Sequence, residues 1–98
     1  EFAIMLPMTN SSAAMVVAEK LRQAIQDAGI VHPGKNALLS GSCGVSTAET
    51  TEMLERGTIE SFMDEADRAL FAAKRNGRNR CQHVRQMSQA DLESEICA

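Results

Sequence analysis

Residues 67–79 read Asp-Arg-Ala-Leu-Phe-Ala-Ala-Lys-Arg-Asn-Gly-Arg-Asn. Apolar residues at Phe62, Ala66, Ala69, Leu70 and Ala73 recur at helical spacing, so the stretch predicts the second half of an amphipathic helix. Gly77 stands where a chain leaves a helix through the left-handed region. Lys74, Arg75, Arg78 and Arg80 crowd around that stop. Capping gives one account of them, because the negative end of a helix dipole attracts cations. An anion site gives the other: a lysine on the last turn and an arginine just past it can converge on a phosphate. Periodicity alone leaves both open.

Immediately upstream, Thr58 is the expected N-cap of this helix, with Glu60, Asp64 and Glu65 near the positive end of its dipole. Residues 47–57 are polar and read as a loop with one helical turn at 52–55. Residues 37–46, Ala-Leu-Leu-Ser-Gly-Ser-Cys-Gly-Val-Ser, are rich in small side chains without helical period. They predict a central strand whose glycines admit another backbone. Residues 30–36 are a loop turned at Pro33-Gly34. Before them, Ala14, Val17, Ala18, Leu21, Ala24, Ile25 and Ala28 trace one face of a helix over 11–28. Thr9 to Ser12 supply caps at its start and Gly29 closes it. Residues 2–6 form an apolar run ended by Pro7, which predicts a strand buried on both faces. A domain seldom starts inside such a strand, so further chain is expected upstream. Downstream, 80–84 predict a short edge strand. Residues 89–96 read either as a short terminal helix behind a weak capping box at Ser88 or as a solvated linker.

The predicted order is strand, helix, strand, helix, short strand. That alternation indicates an α/β arrangement with helices packed on a sheet. The 98 residues allow one small domain or part of one, and 44% hydrophobic content is enough for a core. Aromatics make up only 3%, with no Trp or Tyr, so Ala, Leu, Ile, Val and Met must build that core. The net charge of −3 argues against a general nucleic-acid surface, while the basic cluster keeps a local anion site open. No window is long and apolar enough for a membrane span, and no secretory signal is visible. Cys43, Cys81 and Cys97 are odd in number and widely spaced, which fits a reducing, cytoplasmic compartment. Cys81 and His83 lack a second ligand pair, so no metal site is expected from them. Cys43 is expected to be a small buried hydrophobe.

Three segments resemble one family in order and spacing. Residues 1–7, Glu-Phe-Ala-Ile-Met-Leu-Pro, resemble the strand after a Gly-Gly-Asp/Glu-Glu-Phe hairpin. Residues 42–46, Ser-Cys-Gly-Val-Ser, resemble its Ser-Ile-Gly-Val strand. Residues 66–79 resemble its closing signature, Ala-Asp-x-Ala-Leu-Tyr-x-Ala-Lys-x-x-Gly-Arg-Asn. The family is the GGDEF, or diguanylate cyclase, domain, and the resemblance covers about residues 1–80.

The resemblance implies an α+β, ferredoxin-like nucleotide-cyclase palm. It implies condensation of two GTP into cyclic di-GMP for bacterial second-messenger signalling, in a homodimer, with magnesium. Residues 1–84 would be the C-terminal part of the domain and 85–98 a tail or linker. By the same resemblance, Lys74 and Arg78 match contacts to the GTP phosphates. Glu1 matches the catalytic carboxylate at the fourth letter of the hairpin. Lys20 falls where many members carry an arginine of the inhibitory product site, and a lysine there loses bidentate recognition. Asp67 matches a constant acid expected to pair locally. Phe71 replaces the usual tyrosine. The glycines and metal-binding acids of the hairpin would precede Glu1, so this chain is expected to hold no complete metal site and to be inactive by itself. The parent could be anchored in a membrane. The alternative implied function is a degenerate module that binds GTP or cyclic di-GMP, or mediates dimerisation, without catalysis.

Overall fold

The computed structural model describes residues 1–87 and Asp91. Helix α1 spans Ser11–Asp27, strand β1 Cys43–Val45, helix α2 Thr51–Arg56, helix α3 Ile59–Arg75 and strand β2 Cys81–His83. A single 3-10 turn, Val84–Gln86, follows β2. The strands pair in parallel, with Cys43 opposite Cys81, Gly44 opposite Gln82 and Val45 opposite His83.

Local sequence explains the helix limits. Asn10 caps α1, its side chain accepting from the Ala13 amide at 2.9 Å. Gly29 then leaves the helix at φ 62°. Thr58 caps α3 as expected: its hydroxyl accepts from the Ser61 amide and the Ser61 hydroxyl accepts from the Thr58 amide. Such reciprocal caps satisfy donors that the first helical turn leaves open. Thr50 caps α2 in one direction, its hydroxyl accepting from the Met53 amide at 3.1 Å.

The two long helices cover opposite faces of the sheet. Successive residues of a strand point to opposite sides. On one side, Gly44 faces α3 so closely that a Cβ there would stand 2.1 Å from the Ala66 carbonyl oxygen and 2.2 Å from the Leu70 amide nitrogen. On the other side, Cys81 meets Glu19 of α1. Layered packing of this kind needs small side chains where backbones approach. Among the described residues, the buried hydrophobic ones are accordingly all alanines: Ala14 and Ala18 on α1, and Ala69, Ala72 and Ala73 on α3.

The structure corrects four sequence expectations. Residues 2–6 form no strand, and Phe2, Ile4 and Met5 stand exposed. A strand gains its stability from ladder partners, and none of the described residues pairs with this run in a ladder. The expected strand over 37–46 contracts to Cys43–Val45, because only that part meets β2; Leu38 instead bridges back to Val31 around the Pro33-Gly34 turn. The loop over 47–57 contains a six-residue helix rather than one turn, since Thr50 caps it and Glu52 pairs with Arg56 along it. Asp67 is exposed and makes no pairing among the described residues. The expected terminal helix over 89–96 lies outside the described residues, apart from Asp91. The Cα radius of gyration is 14.5 Å, above the roughly 13 Å of a compact chain this long.

Candidate functional site

The end of α3 is built as a tight, left-handed exit. Asn76 is the C-cap, and Gly77, Arg78 and Asn79 follow at φ 124°, 63° and 46°. The Arg78 amide donates back to the Ala73 carbonyl at 2.9 Å. This bond closes the helix end and consumes one of its open acceptors. A non-glycine residue in the left-handed region costs about 1 kcal/mol, so two in succession need external anchors.

Those anchors come mainly from Asn79. Its amide donates to the Ser42 hydroxyl at 3.1 Å. Its side-chain oxygen accepts from Arg22 of α1 at 2.9 Å, and its side-chain nitrogen donates to Gln26 at 3.2 Å. Arg22 is itself held by Glu19. On the other flank, the Asn76 side chain donates to Gln82 at 3.3 Å and to Asp91 at 3.2 Å. Arg80 donates from Nε to the Arg78 carbonyl at 3.1 Å and lies over Gly77. The turn is thus pinned to α1, β1, β2 and Asp91 at once.

Arg78 projects from this pinned turn, and Lys74 from the last turn of α3 just before it. Lys74 is partly exposed, and its Nζ lies 4.0 Å from a carboxylate oxygen of Glu1. The structure therefore brings together the expected phosphate-binding lysine and the expected catalytic carboxylate. Arg78 is exposed, and its guanidinium has no partner among the described residues. Arg75, on the last turn of α3, lies 3.7 Å from the carboxylate of Asp91, which is only 2% exposed. Lys20 stands elsewhere, on α1, in an open groove of about 560 Å³ whose walls include Met15, Glu19 and Cys81 but neither Lys74 nor Arg78.

A second polar network fastens the other end of the sheet. The Arg85 amide donates to His83 Nδ1 at 3.0 Å, so the ring proton sits on Nε2 and faces the Thr47 hydroxyl at 2.9 Å. Thr47 donates to Glu49 at 3.4 Å, and Glu49 accepts from the Ser11 amide at 2.6 Å. Burial, and then Arg85, holds the His83 pKa below the usual histidine value. The Ser11 hydrogen bonds, and further off Arg85, hold Glu49 below the usual carboxylate range.

Sequence reasoning singled out Lys74 and Arg78 as candidates and placed the helix stop at Gly77, where the structure has it. It missed the anchoring roles of Asn76, Asn79, Arg22 and Ser42. Asn79 carried one usable signal: asparagine tolerates the left-handed region better than most residues.

Magnesium is the metal the resemblance brings. Among the described residues, no group of three or more His, Cys, Asp or Glu could hold a metal ion. Glu1 is a single carboxylate that already faces a lysine. The residues present do not make a magnesium site, and no chemical step is derived through one. No helix among the described residues is long and apolar enough to cross a membrane.

Known structures and relatives place this arrangement. The crystal structure of the GGDEF domain of DgcB from Caulobacter crescentus, determined in complex with c-di-GMP, superposes with a TM-score of 0.67 at 24% identity, over 83% of this chain and 46% of that one. The chain has the mixed helix-and-strand arrangement, with a small parallel sheet, of the cyclase palm fold. The family model described as diguanylate cyclase, GGDEF domain, matches residues 1–80. The chain belongs to the GGDEF family. Diguanylate cyclase A of Treponema denticola is 39% identical over 80 residues, which are 82% of this chain and 20% of that protein. The probable diguanylate cyclase DgcF of Escherichia coli K12 is 29% identical over 85 residues, 87% of this chain and 27% of that one. The chain thus spans about a fifth to a quarter of the length of these relatives.

Proposed function

We propose that the chain is the C-terminal part, over residues 1–84, of the GGDEF domain of a diguanylate cyclase. The parent condenses two GTP into cyclic di-GMP and releases pyrophosphate. The observation that carries this reading is the pinned exit of α3, which presents Lys74 next to Glu1 and leaves the Arg78 guanidinium without a partner among the described residues. Curated relatives bearing the name diguanylate cyclase support it.

In this reading, the GTP phosphates displace Glu1 from Lys74. An exposed ion pair of this kind is worth only about 0–1 kcal/mol, so a polyanion competes for the lysine readily. Lys74 then acts as a point charge and Arg78 as a two-pronged donor on the phosphates. Both offset negative charge that grows on the leaving pyrophosphate. Glu1, released, borders the reacting groups. Each domain presents one GTP, and two copies meet so that the 3′-hydroxyl of one nucleotide attacks the α-phosphate of the other. Magnesium, used generally in the family, requires ligands beyond Glu1. Lys20 has at most a point-charge role at an inhibitory product site.

The test is product formation from GTP and Mg²⁺ by the full-length parent, followed by chromatography. Lys74→Ala and Arg78→Ala in the parent are each expected to lower kcat/KM by roughly 100-fold. The 98-residue chain by itself is expected to form no product. A parent that binds GTP yet forms no cyclic di-GMP overturns the enzyme reading in favour of a binding module.

A further inference from the structure

Cys43 and Cys81 are register partners at the start of the two parallel strands. Both are half-buried, free thiols. Neighbouring strands lie about 4.8 Å apart, inside the roughly 4.4–6.8 Å Cα separation that a disulfide spans. Register partners also project to the same face of a sheet, so the two sulfurs stand side by side. That face is not sealed: Cys81 lines the open groove walled by Met15, Val16, Glu19 and Gln23. A small reagent can reach Cys81 through this groove, and Cys43 beside it is itself only half-buried.

We propose that Cys43 and Cys81 form a reversible oxidation site, at which a hydroperoxide converts the two thiols into a disulfide bridging β1 and β2. The Cys43 thiolate attacks one oxygen of the hydroperoxide. The O–O bond breaks, Cys43 becomes a sulfenic acid, and the other oxygen leaves as hydroxide or alkoxide and takes up the proton that Cys43 gave. The Cys81 sulfur then attacks the Cys43 sulfur. The S–OH bond breaks, and the Cys81 proton leaves with the hydroxyl as water. Two thiols lose two electrons in all, and one peroxide bond gains them. Burial and the adjacent Cys43 push the Cys81 thiol up to about 12, so Cys81 stays protonated and serves as the second, resolving thiol. A dithiol reductant restores both thiols by exchange.

The site needs neither GTP nor Lys74. Its effect is mechanical: the bridge would fasten the first residue of β2, directly after the Arg78 turn, to the strand whose Cys43 amide already donates to the Arg80 carbonyl at 2.9 Å.

The experiment treats the full chain with hydrogen peroxide, alkylates remaining thiols, and digests with trypsin without reduction. The expected product joins the peptide over 36–56, which holds Cys43, to the peptide over 81–85, which holds Cys81. Cys97, in the peptide over 86–98, is alkylated. Dithiothreitol removes the linked species, and Cys81→Ser prevents it. The oxidised chain should also melt roughly 10 °C higher than the reduced one. Recovery of Cys43 and Cys81 alkylated, over-oxidised to sulfinic acid, linked to Cys97 or linked only between chains would overturn the proposal.

Discussion

The first nine residues and the turn over 76–83 have opposite fates in the same chain. The first segment is apolar, yet Phe2 is 99% exposed and no strand forms. The second is polar and charged, yet Gln82 and His83 are buried and the segment is tied to α1, to Ser42 and β1, and to Asp91. Apolar character confers order only where a partner surface exists. Polar residues become fixed when each has a donor or acceptor within reach.

The sharpest way to break this contrast is at the sheet itself. Gly44→Val forces a side chain into the α3 backbone, and we expect a loss of about 3 kcal/mol or more, read as a collapse of the thermal transition. Asn79→Ala removes the contacts that hold the left-handed turn to α1. It should lower stability by about 2 kcal/mol in urea titration, whereas Asn79→Gly, which relieves backbone strain, should cost less.

A smaller effect comes from pH. His83 has a folded pKa below its ordinary 6.5, so the unfolded chain binds a proton first as pH falls. Stability is therefore full above about pH 6.5 and declines as the pH drops toward the folded value. Glu49, also lowered, adds a second decline below its ordinary 4.5. Melting temperatures between pH 7 and pH 5 should fall for the native chain. His83→Asn, which keeps an acceptor for the Arg85 amide, should flatten that slope. The smallest effect is expected at the other pole of the comparison: Phe2→Ser should change stability by less than about 0.5 kcal/mol in this chain. A large loss there would show that the first segment is packed after all.

The same contrast explains what could be read in advance. The helices were legible because their information is local: Asn10, Thr58, Gly29 and Gly77 sit within one turn of the ends they set. The close approach at Gly44 was legible as a run of small residues. Strand lengths were not, because β1 extends only as far as β2 accompanies it, and that partner is 38 positions away. The apolar run at 2–6 carries the pattern of a buried strand, but pattern does not reveal whether a neighbour is present. At the candidate site, the charged residues were visible as a cluster, and the family's segments singled out Glu1 and Lys74 separately, but that the two meet is shown only by the structure. The turn's anchors were not visible, since Arg22 and Ser42 meet Asn79 across 57 and 37 residues.

The parallel pairing of β1 with β2 also sets an order of events during folding. The ladder begins at Cys43 and closes at His83, so nothing in the sheet can form until nearly the whole described chain is available. Closing so long a segment is entropically slow, and topologies dominated by distant contacts fold later than local helices. On a ribosome, α1 and α3 would emerge capped and complete while β1 still waited for its only described partner. Changes within α3 should therefore alter the folding rate as well as the equilibrium, whereas changes at Phe2 should leave both untouched.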